Sequence, residues 1–331
     1  MSGPGVRLGL HLSAEEHPPD VLVRTAIRAE EAGFHFVTVS DHFHPWTTRQ
    51  GESPFVWAVL GAIAQATERV GVGTAVTCPT IRTHPAIVAH AAATVAAMMP
   101  GRFFLGVGTG ERLNESVHGD YWPAAPVRRE MLEEAVEIMR ALWTGEIVRA
   151  HHGRYYTVER ARIFTRPDEP PPIVVSGFGP QSVALAGRIG DGYMHVAPDA
   201  ESVQGFRAAG GEGKPCYGKL DTCVAEDDAT ARRIAHETWP TAALQGEIGQ
   251  ELATPEHYEQ ATANVTEEQV AEGILCSNDA RKHLDAIAEF AEAGFDRVVV
   301  QQCGDDQERL IALYADEVLP TLTAPTSRPP A

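Results

Sequence analysis

Nowhere in the 331 residues does an apolar run approach the roughly 20 residues that cross a bilayer, and the opening Met1-Ser2-Gly3-Pro4-Gly5-Val6-Arg7 lacks the hydrophobic stretch of a secretory signal. A cytoplasmic protein that does not meet membranes is expected. Positive charge is also scarce: 27 Lys and Arg against 45 Asp and Glu give a formal charge of -18 and a pI near 5.2. No basic stripe interrupts this acidity, so nucleic acid is excluded as a partner and a small molecule is favoured. The five cysteines (Cys78, Cys216, Cys223, Cys276 and Cys303) are odd in number and widely spaced, with no Cys-x-x-Cys pair. That pattern argues against a disulfide framework or a zinc site and reads as reduced thiols.

What is present is a rhythm. Val6 to Leu12 reads as a strand, Pro19 to Ala32 as a helix closed by Gly33, and Phe36 to Val39 as a second strand. The unit repeats with helix Phe55 to Thr67, strand Val70 to Val76, helix Pro85 to Met99, strand Phe103 to Val107 and helix Arg128 to Trp143. After a polar, aromatic stretch it resumes with strand Ile173 to Val175, helix Gln181 to Arg188, strand Tyr193 to Val196, helix Glu201 to Ala209, strand Leu220 to Ala225 and helix Asp228 to Thr238. Asp279 to Ala293, Val298 to Gln301 and Gln307 to Leu319 close the last unit. Short strands alternating with longer amphipathic segments mean parallel βαβ units, and about eight repeats in a chain of this length predict an α/β fold, a single (β/α)8 TIM barrel over 1–322. An open doubly wound sheet is the alternative. Insertions are expected near 145–172, with a small hairpin at Arg154 to Thr157, and near 239–275; the tail 323–331, rich in Pro, Ser and Thr, is expected to be disordered.

In such a barrel, chemistry sits just after the strands. The second strand delivers Ser40-Asp41-His42-Phe43-His44-Pro45-Trp46, the third Thr77-Cys78-Pro79-Thr80, the fourth Gly108-Thr109-Gly110-Glu111-Arg112-Leu113-Asn114 and the fifth Ser176-Gly177-Phe178-Gly179-Pro180. His42 is either a general acid or base, since imidazole titrates near neutrality, or a loop histidine satisfied by a turn carbonyl. No third ligand accompanies His42 and His44, so no metal is expected. Gly106 to Gly110 has neither P-loop nor dinucleotide-fingerprint spacing, whereas Gly177-Phe178-Gly179-Pro180-Gln181-Ser182 precedes a helix N-terminus and is either an anion site or an ordinary tight turn. Glu133-Glu134 lies in an amphipathic helix and reads as solvated surface.

Together, Thr38 to Trp46, Gly73-Thr74-Ala75-Val76 and Gly106 to Glu115 resemble the luciferase-like F420-dependent oxidoreductases, and within them are most similar to the F420-dependent glucose-6-phosphate dehydrogenase family. The resemblance runs from Val6 to Leu322. It implies that His42 and Glu111 are the catalytic pair, with Glu15 and Trp46 facing the reaction site. It implies further that Asp41, Cys78, Thr109 and Asn114 contact the deazaflavin coenzyme F420, that Ala75-Val76 form a bulge with a non-proline cis peptide behind its ring, and that Gly177, Phe178, Gly179, Gln181 and Ser182 receive its phosphate. Cys78 replaces a threonine of that family. Where those enzymes hold a sugar phosphate with a threonine and two lysines, this chain has Val196, Asp199 and Gln260, and an acid in place of a base opposes a dianion.

The resemblance therefore implies a dehydrogenase moving hydride between an alcohol or unphosphorylated sugar C–OH carbon and C5 of the deazaflavin, with His42 or Glu111 as base, in a homodimer. The alternatives are a reductase running the reverse reaction with reduced F420, an FMN-dependent luciferase-like monooxygenase, or a cofactor carrier without catalysis.

Overall fold

The computed structural model describes residues 5–323. Eight parallel strands close on themselves: β1 (Arg7–Leu12), β2 (Phe36–Val39), β3 (Gly71–Thr74), β4 (Phe103–Val107), β5 (Ile173–Ser176), β6 (Gly192–His195), β7 (Cys216–Cys223) and β8 (Arg297–Gln302). Each pairs with the next, and β8 pairs with β1 through Arg7↔Arg297 to His11↔Gln301, which shuts the ring. The expected (β/α)8 barrel is the fold.

Side-chain alternation creates two separate cores. Leu8, Leu10 and Leu12 of β1, Val37 and Val39 of β2 and Val72 of β3 point outward and pack, essentially inaccessible, against the buried faces of the surrounding helices, such as Leu22 and Ala26 of Pro19–Ala32 and Leu60 and Ile63 of Val56–Ala66. Phe36, Phe104, Val174, Met194, Tyr217 and Val299 point inward as a second cluster that fills the lumen. The helices begin and end where local chemistry directs: Asp199, Asp227 and Asp279 accept first-turn amides, and left-handed Gly33 and Gly294 terminate Pro19–Ala32 and Ala280–Ala293.

Several boundaries move. The hairpin expected at Arg154 to Thr157 is the turn of a larger one, Val148–His152 paired antiparallel with Thr157–Ala161. The seventh strand runs Cys216–Cys223 rather than from Leu220 to Ala225; inward Lys219 breaks the apolar pattern ahead of Leu220. A two-residue strand, Leu275–Cys276, adds to β7. Thr323 ends the helix Leu319–Thr323, and residues 324–331 of the expected tail lie outside the described residues.

The segment 239–275 contains short helices, Ile248–Glu251, Pro255–Thr262 and Glu267–Ala271, that lie over one side of the barrel mouth. It is fastened there by Arg128, 1% exposed, which stacks 4.0 Å over Trp122 and donates to Pro123 O and to Gln250 Oε1. Among the described residues no helix is long and apolar enough to cross a membrane.

Candidate active site

β2 ends at Val39, and the chain then turns across the mouth of the barrel. His42 is held there by its own loop: Nδ1–H donates to His44 O at 3.1 Å, which leaves Nε2 as the atom that gains or loses a proton. Nε2 lies 3.4 Å from Glu15 Oε1 and 3.7 Å from Glu111 Oε1, and the Trp46 ring covers the imidazole at 4.8 Å. Thus the turn-carbonyl and acid–base readings of His42 are both satisfied, one at each ring nitrogen. The four residues come from the ends of three strands and form one cluster.

Each carboxylate is fixed by neighbours. Glu15, 2% exposed, accepts from Ser40 Oγ at 2.5 Å and Ser13 Oγ at 3.1 Å. Burial pushes its carboxyl up, but the electrostatic interaction with His42 and the Ser40 hydroxyl outweigh burial and hold it below the usual carboxylate range. Asn114 holds Glu111: its Nδ2 donates to Glu111 Oε1 while its Oδ1 accepts from Phe43 and His44 N–H at 2.7 and 3.0 Å. Asn114 is 1% exposed, so both ends of its amide are engaged within the protein and it braces the β2 and β4 loops against each other.

Asp41, 6% exposed, is engaged within the protein. It accepts from Thr77 Oγ1 and Arg82 Nη2, both at 2.8 Å. Arg82 also lies 3.5 Å from Glu115, which is fully buried, accepts the Arg82 amide at 2.9 Å and is pushed up to about 7 by burial. The facing Arg82 Nε and Glu115 Oε1 make an ion contact without a hydrogen bond. Asp41, Arg82 and Glu115 therefore tie together the loops after β2, β3 and β4. Sequence reasoning missed Arg82 and Glu115, although both stand in strand-end loops.

Beyond β3, Ala75 N donates to Val39 O at 2.9 Å, the Ala75–Val76 peptide is cis, and Thr77 N reaches Gly106 O at 2.9 Å. Gly106 and Gly108 are there because β4 runs hard against this bulge: a Cβ on Gly106 would sit 2.0 Å from Thr74 O, and one on Gly108 2.8 Å from Val76 Cγ2. The glycine run thus serves close packing. It also keeps the half-exposed Ala75 and Val76 as an apolar wall above the lumen cluster. Thr109 is half-buried beside them and Cys78 is 5% exposed, with burial pushing its thiol well up.

Across the mouth, Phe178 and Gly179 are exposed in a turn that leads into Pro180–Ile189, a helix with no side-chain cap. Gln181 Oε1 accepts from Arg129, a cation that the sequence reading did not place at this turn. The residues aligned with the sugar-phosphate grip are dispersed. Val196 is exposed; Asp199 is a helix N-cap that accepts Glu201 N at 2.9 Å and Ser202 Oγ at 2.5 Å; Gln260 is exposed on Pro255–Thr262 and makes none of the site's hydrogen bonds. That helix meets the site through other residues. Tyr258 packs edge-on to Trp46 at 5.3 Å, and Glu259 accepts Thr48 N at 2.9 Å. Nothing in the aperiodic sequence of this segment marked either one.

Among the described residues no group of His, Cys, Asp and Glu is arranged to hold a metal ion. A cavity of 840 Å³ opens at the opposite end of the barrel between Arg7, Arg102 and Arg297 and contains none of these carboxylates.

The luciferase-like monooxygenase family model matches residues 5–297. The F420-dependent glucose-6-phosphate dehydrogenase of Nakamurella multipartita is 37% identical, with 98% of each chain covered, and that of Microbacterium testaceum is 35% identical over 96% of this chain and 97% of the relative. Among solved structures, an F420-dependent secondary alcohol dehydrogenase in complex with an F420-acetone adduct superposes with a TM-score of 0.90 at 32% identity, covering 97% of this chain and all of that one.

Proposed function

The chain belongs to the luciferase-like family and, within it, to the F420-dependent dehydrogenases, and on that premise we propose that it oxidises the C–OH carbon of an uncharged alcohol or sugar with coenzyme F420 as hydride acceptor. The observation that carries this reading is His42 Nε2 facing Glu15 and Glu111 at 3.4 and 3.7 Å beneath Trp46.

The residues suit a flat heteroaromatic ring with a phosphate arm. Ala75 and Val76 supply an apolar wall for the ring, with Thr109 and Cys78 at its margin. The segment Gly177 to Ser182, exposed at Phe178 and Gly179, opens an uncapped helix N-terminus beside Arg129, a setting in which backbone N–H groups and one cation take an anion. Bound F420 supplies a two-electron hydride acceptor.

The chain's own residues then do four things. His42 Nε2 accepts the substrate hydroxyl proton, its tautomer fixed by the His44 carbonyl. Glu15, ionised over a wide pH range, stabilises the imidazolium so formed. Glu111, positioned by Asn114, would deliver a proton to the deazaflavin nitrogen as hydride arrives, balancing the charge the ring gains. Trp46, backed by Tyr258, shields the proton transfer from water.

Support for an uncharged substrate comes from Asp199 and the cation-poor rim around Val196. A carboxylate held below the usual range by the Ser202 hydroxyl stays ionised and repels a dianionic phosphate. The test is a fluorescence titration with oxidised F420 and with FMN, followed by a panel of alcohols, free sugars and sugar phosphates read by bleaching of oxidised F420. Binding of F420 over FMN with bleaching by neutral substrates is expected. Preference for FMN would move the protein to oxygen chemistry, and turnover of glucose 6-phosphate above all neutral compounds would overturn the substrate class.

A further inference from the structure

Barrel lumens are ordinarily packed with branched aliphatic side chains. Here the lower layer is apolar, filled by Phe36, Phe104, Val174, Met194, Tyr217 and Val299, but the level above it is not. Register places Asp221 of β7 beside Gln301 of β8, Gln301 beside His11 of β1, and His11 beside Thr38 of β2. Four adjacent strands thus carry a belt of polar side chains directly beneath the reaction cluster, and Lys219 reaches up from β7 to form an ion pair with Asp221.

The belt is incompletely bonded within the protein. Gln301 is 1% exposed, and neither its Oε1 nor its Nε2 has a hydrogen-bond partner. Such groups cost free energy unless something polar meets them. His11 shares one hydrogen bond, Nδ1 to Thr38 Oγ1 at 2.8 Å, and burial pushes it down to about 3, so it stays neutral. An ion pair inside a barrel is likewise unfavourable as a packing device, because apolar residues of equal volume would serve stability as well or better. Yet Lys219 and Asp221 keep 16% and 27% of their side chains exposed. The exposure is greater for Asp221, nearer the C-terminal ends of the strands where His42 and Glu15 stand, and the apolar layer closes the lumen below.

We propose that the Lys219–Asp221 pair, with Gln301 and His11, is a second substrate subsite that binds a hydroxyl remote from the reacting carbon, so that the substrate is an uncharged polyhydroxylated compound, a polyol or free aldose. The pair is neutral overall and offers both halves of what a hydroxyl needs: Asp221 accepts its proton in a hydrogen bond and Lys219 donates to its oxygen. A phosphate would meet Asp221 as a like charge. The inference rests on the dehydrogenase reading above.

The experiment compares the wild type with the double variant Lys219→Met, Asp221→Leu and with the near-isosteric Gln301→Met and Asp221→Asn. Each is assayed with F420 on sorbitol, glucose and 2-butanol, and sorbitol binding is also followed by fluorescence of Trp46 without cofactor. The expected result is a roughly 10- to 100-fold loss of kcat/KM and of binding for the polyhydroxylated compounds, the scale of a hydrogen bond to a charged group, with 2-butanol within about twofold of wild type and F420 affinity retained. Equal losses on all substrates, or retained polyol turnover in Asp221→Asn and Gln301→Met, would overturn the subsite. So would a wild type that oxidises 2-butanol but no polyhydroxylated compound. A wild type that binds no F420 would instead defeat the dehydrogenase reading, which separates the two failures.

Discussion

On the side of the barrel formed by β1 to β4, the strand ends bring Glu15, His42 and Glu111 into one cluster and bind their loops together through Asn114, Asp41, Arg82 and Glu115. On the side formed by β5 to β8 the ends carry an uncapped helix, an aspartate used as an N-cap, and the Lys219, Asp221 and Gln301 part of the polar lumen belt. The first side has His42 and its two carboxylates held by neighbouring groups. The second leaves Phe178, Gly179 and Val196 exposed at the mouth and Lys219 and Asp221 partly so. Rigid, pre-oriented groups suit proton and charge transfer, where small displacements are costly; groups left open to solvent suit selection among ligands. On the proposed function, this division puts reaction on one half of the mouth and recognition on the other.

Removal of the proton acceptor tests that division most severely. His42→Ala is expected to lower kcat by about 10³-fold while leaving F420 affinity within about threefold, since the turn proposed to take the cofactor's phosphate is on the far side. Steady-state bleaching and a fluorescence titration on the same preparation measure the two. A large loss of F420 affinity with kcat retained at saturation would place His42 in recognition and dissolve the comparison.

Glu111→Gln keeps the hydrogen bond from Asn114 within reach while removing the charge. A kcat reduced by about 10²-fold with KM little changed is the expected outcome, as for loss of a group that acts chiefly in the transition state. A raised KM with normal kcat would assign Glu111 to ground-state binding instead.

Two adjacent residues sharpen the electrostatic side of the argument. Glu15 is held low, whereas burial pushes Glu16 up to about 7, its carboxylate meeting the Gly304 amide at 2.8 Å with Oε2 unpartnered. The folded protein therefore keeps a proton on Glu16 that the unfolded chain releases from about 4.5 upward, and stability contributed by Glu16 falls as pH rises through the window from 4.5 to about 7. Urea melts of Glu16→Gln should accordingly gain on the wild type by about 2 kcal/mol between pH 5 and pH 8. Parallel pH profiles for the two proteins would show that Glu16 is ionised in the fold.

How far the sequence revealed this arrangement also differs between the halves. Ser40-Asp41-His42 and Glu111 follow short, clean apolar strands, so their position at the mouth could be read directly. The start of β7 was set four residues late because Lys219, which lines the lumen, interrupts the apolar pattern ahead of Leu220. Tyr258 and Glu259 sit in a segment of short helices without periodicity, where side-chain direction is set by tertiary contact alone. The positions aligned with a sugar-phosphate grip, Val196, Asp199 and Gln260, were assigned by likeness to other proteins. The fold gives Asp199 a local task and leaves Gln260 exposed.

On the recognition half, Arg129, which donates to Gln181 of the proposed phosphate turn, is a cation on which a charge reversal can be tried. Arg129→Glu should weaken F420 binding about tenfold at low ionic strength and by less at high salt, because the residue is partly exposed and screened. Unchanged affinity at both ionic strengths would show that the helix terminus holds the anion unaided.

The smallest expected effect distinguishes capping from recognition at Asp199. Its oxygens accept Glu201 N and Ser202 Oγ, so Asp199→Ala should cost about 1 kcal/mol of stability, the usual scale of a lost N-cap, and should leave kcat for neutral substrates unchanged. Asp199→Ser keeps a capping oxygen and removes the charge, and is expected to restore the stability. If the serine variant, with its fold intact, acquires turnover of a sugar phosphate, then the carboxylate excludes phosphate as well as capping the helix. If it gains none, exclusion lies deeper in the mouth, where Asp221 presents the same charge to anything that reaches the lumen.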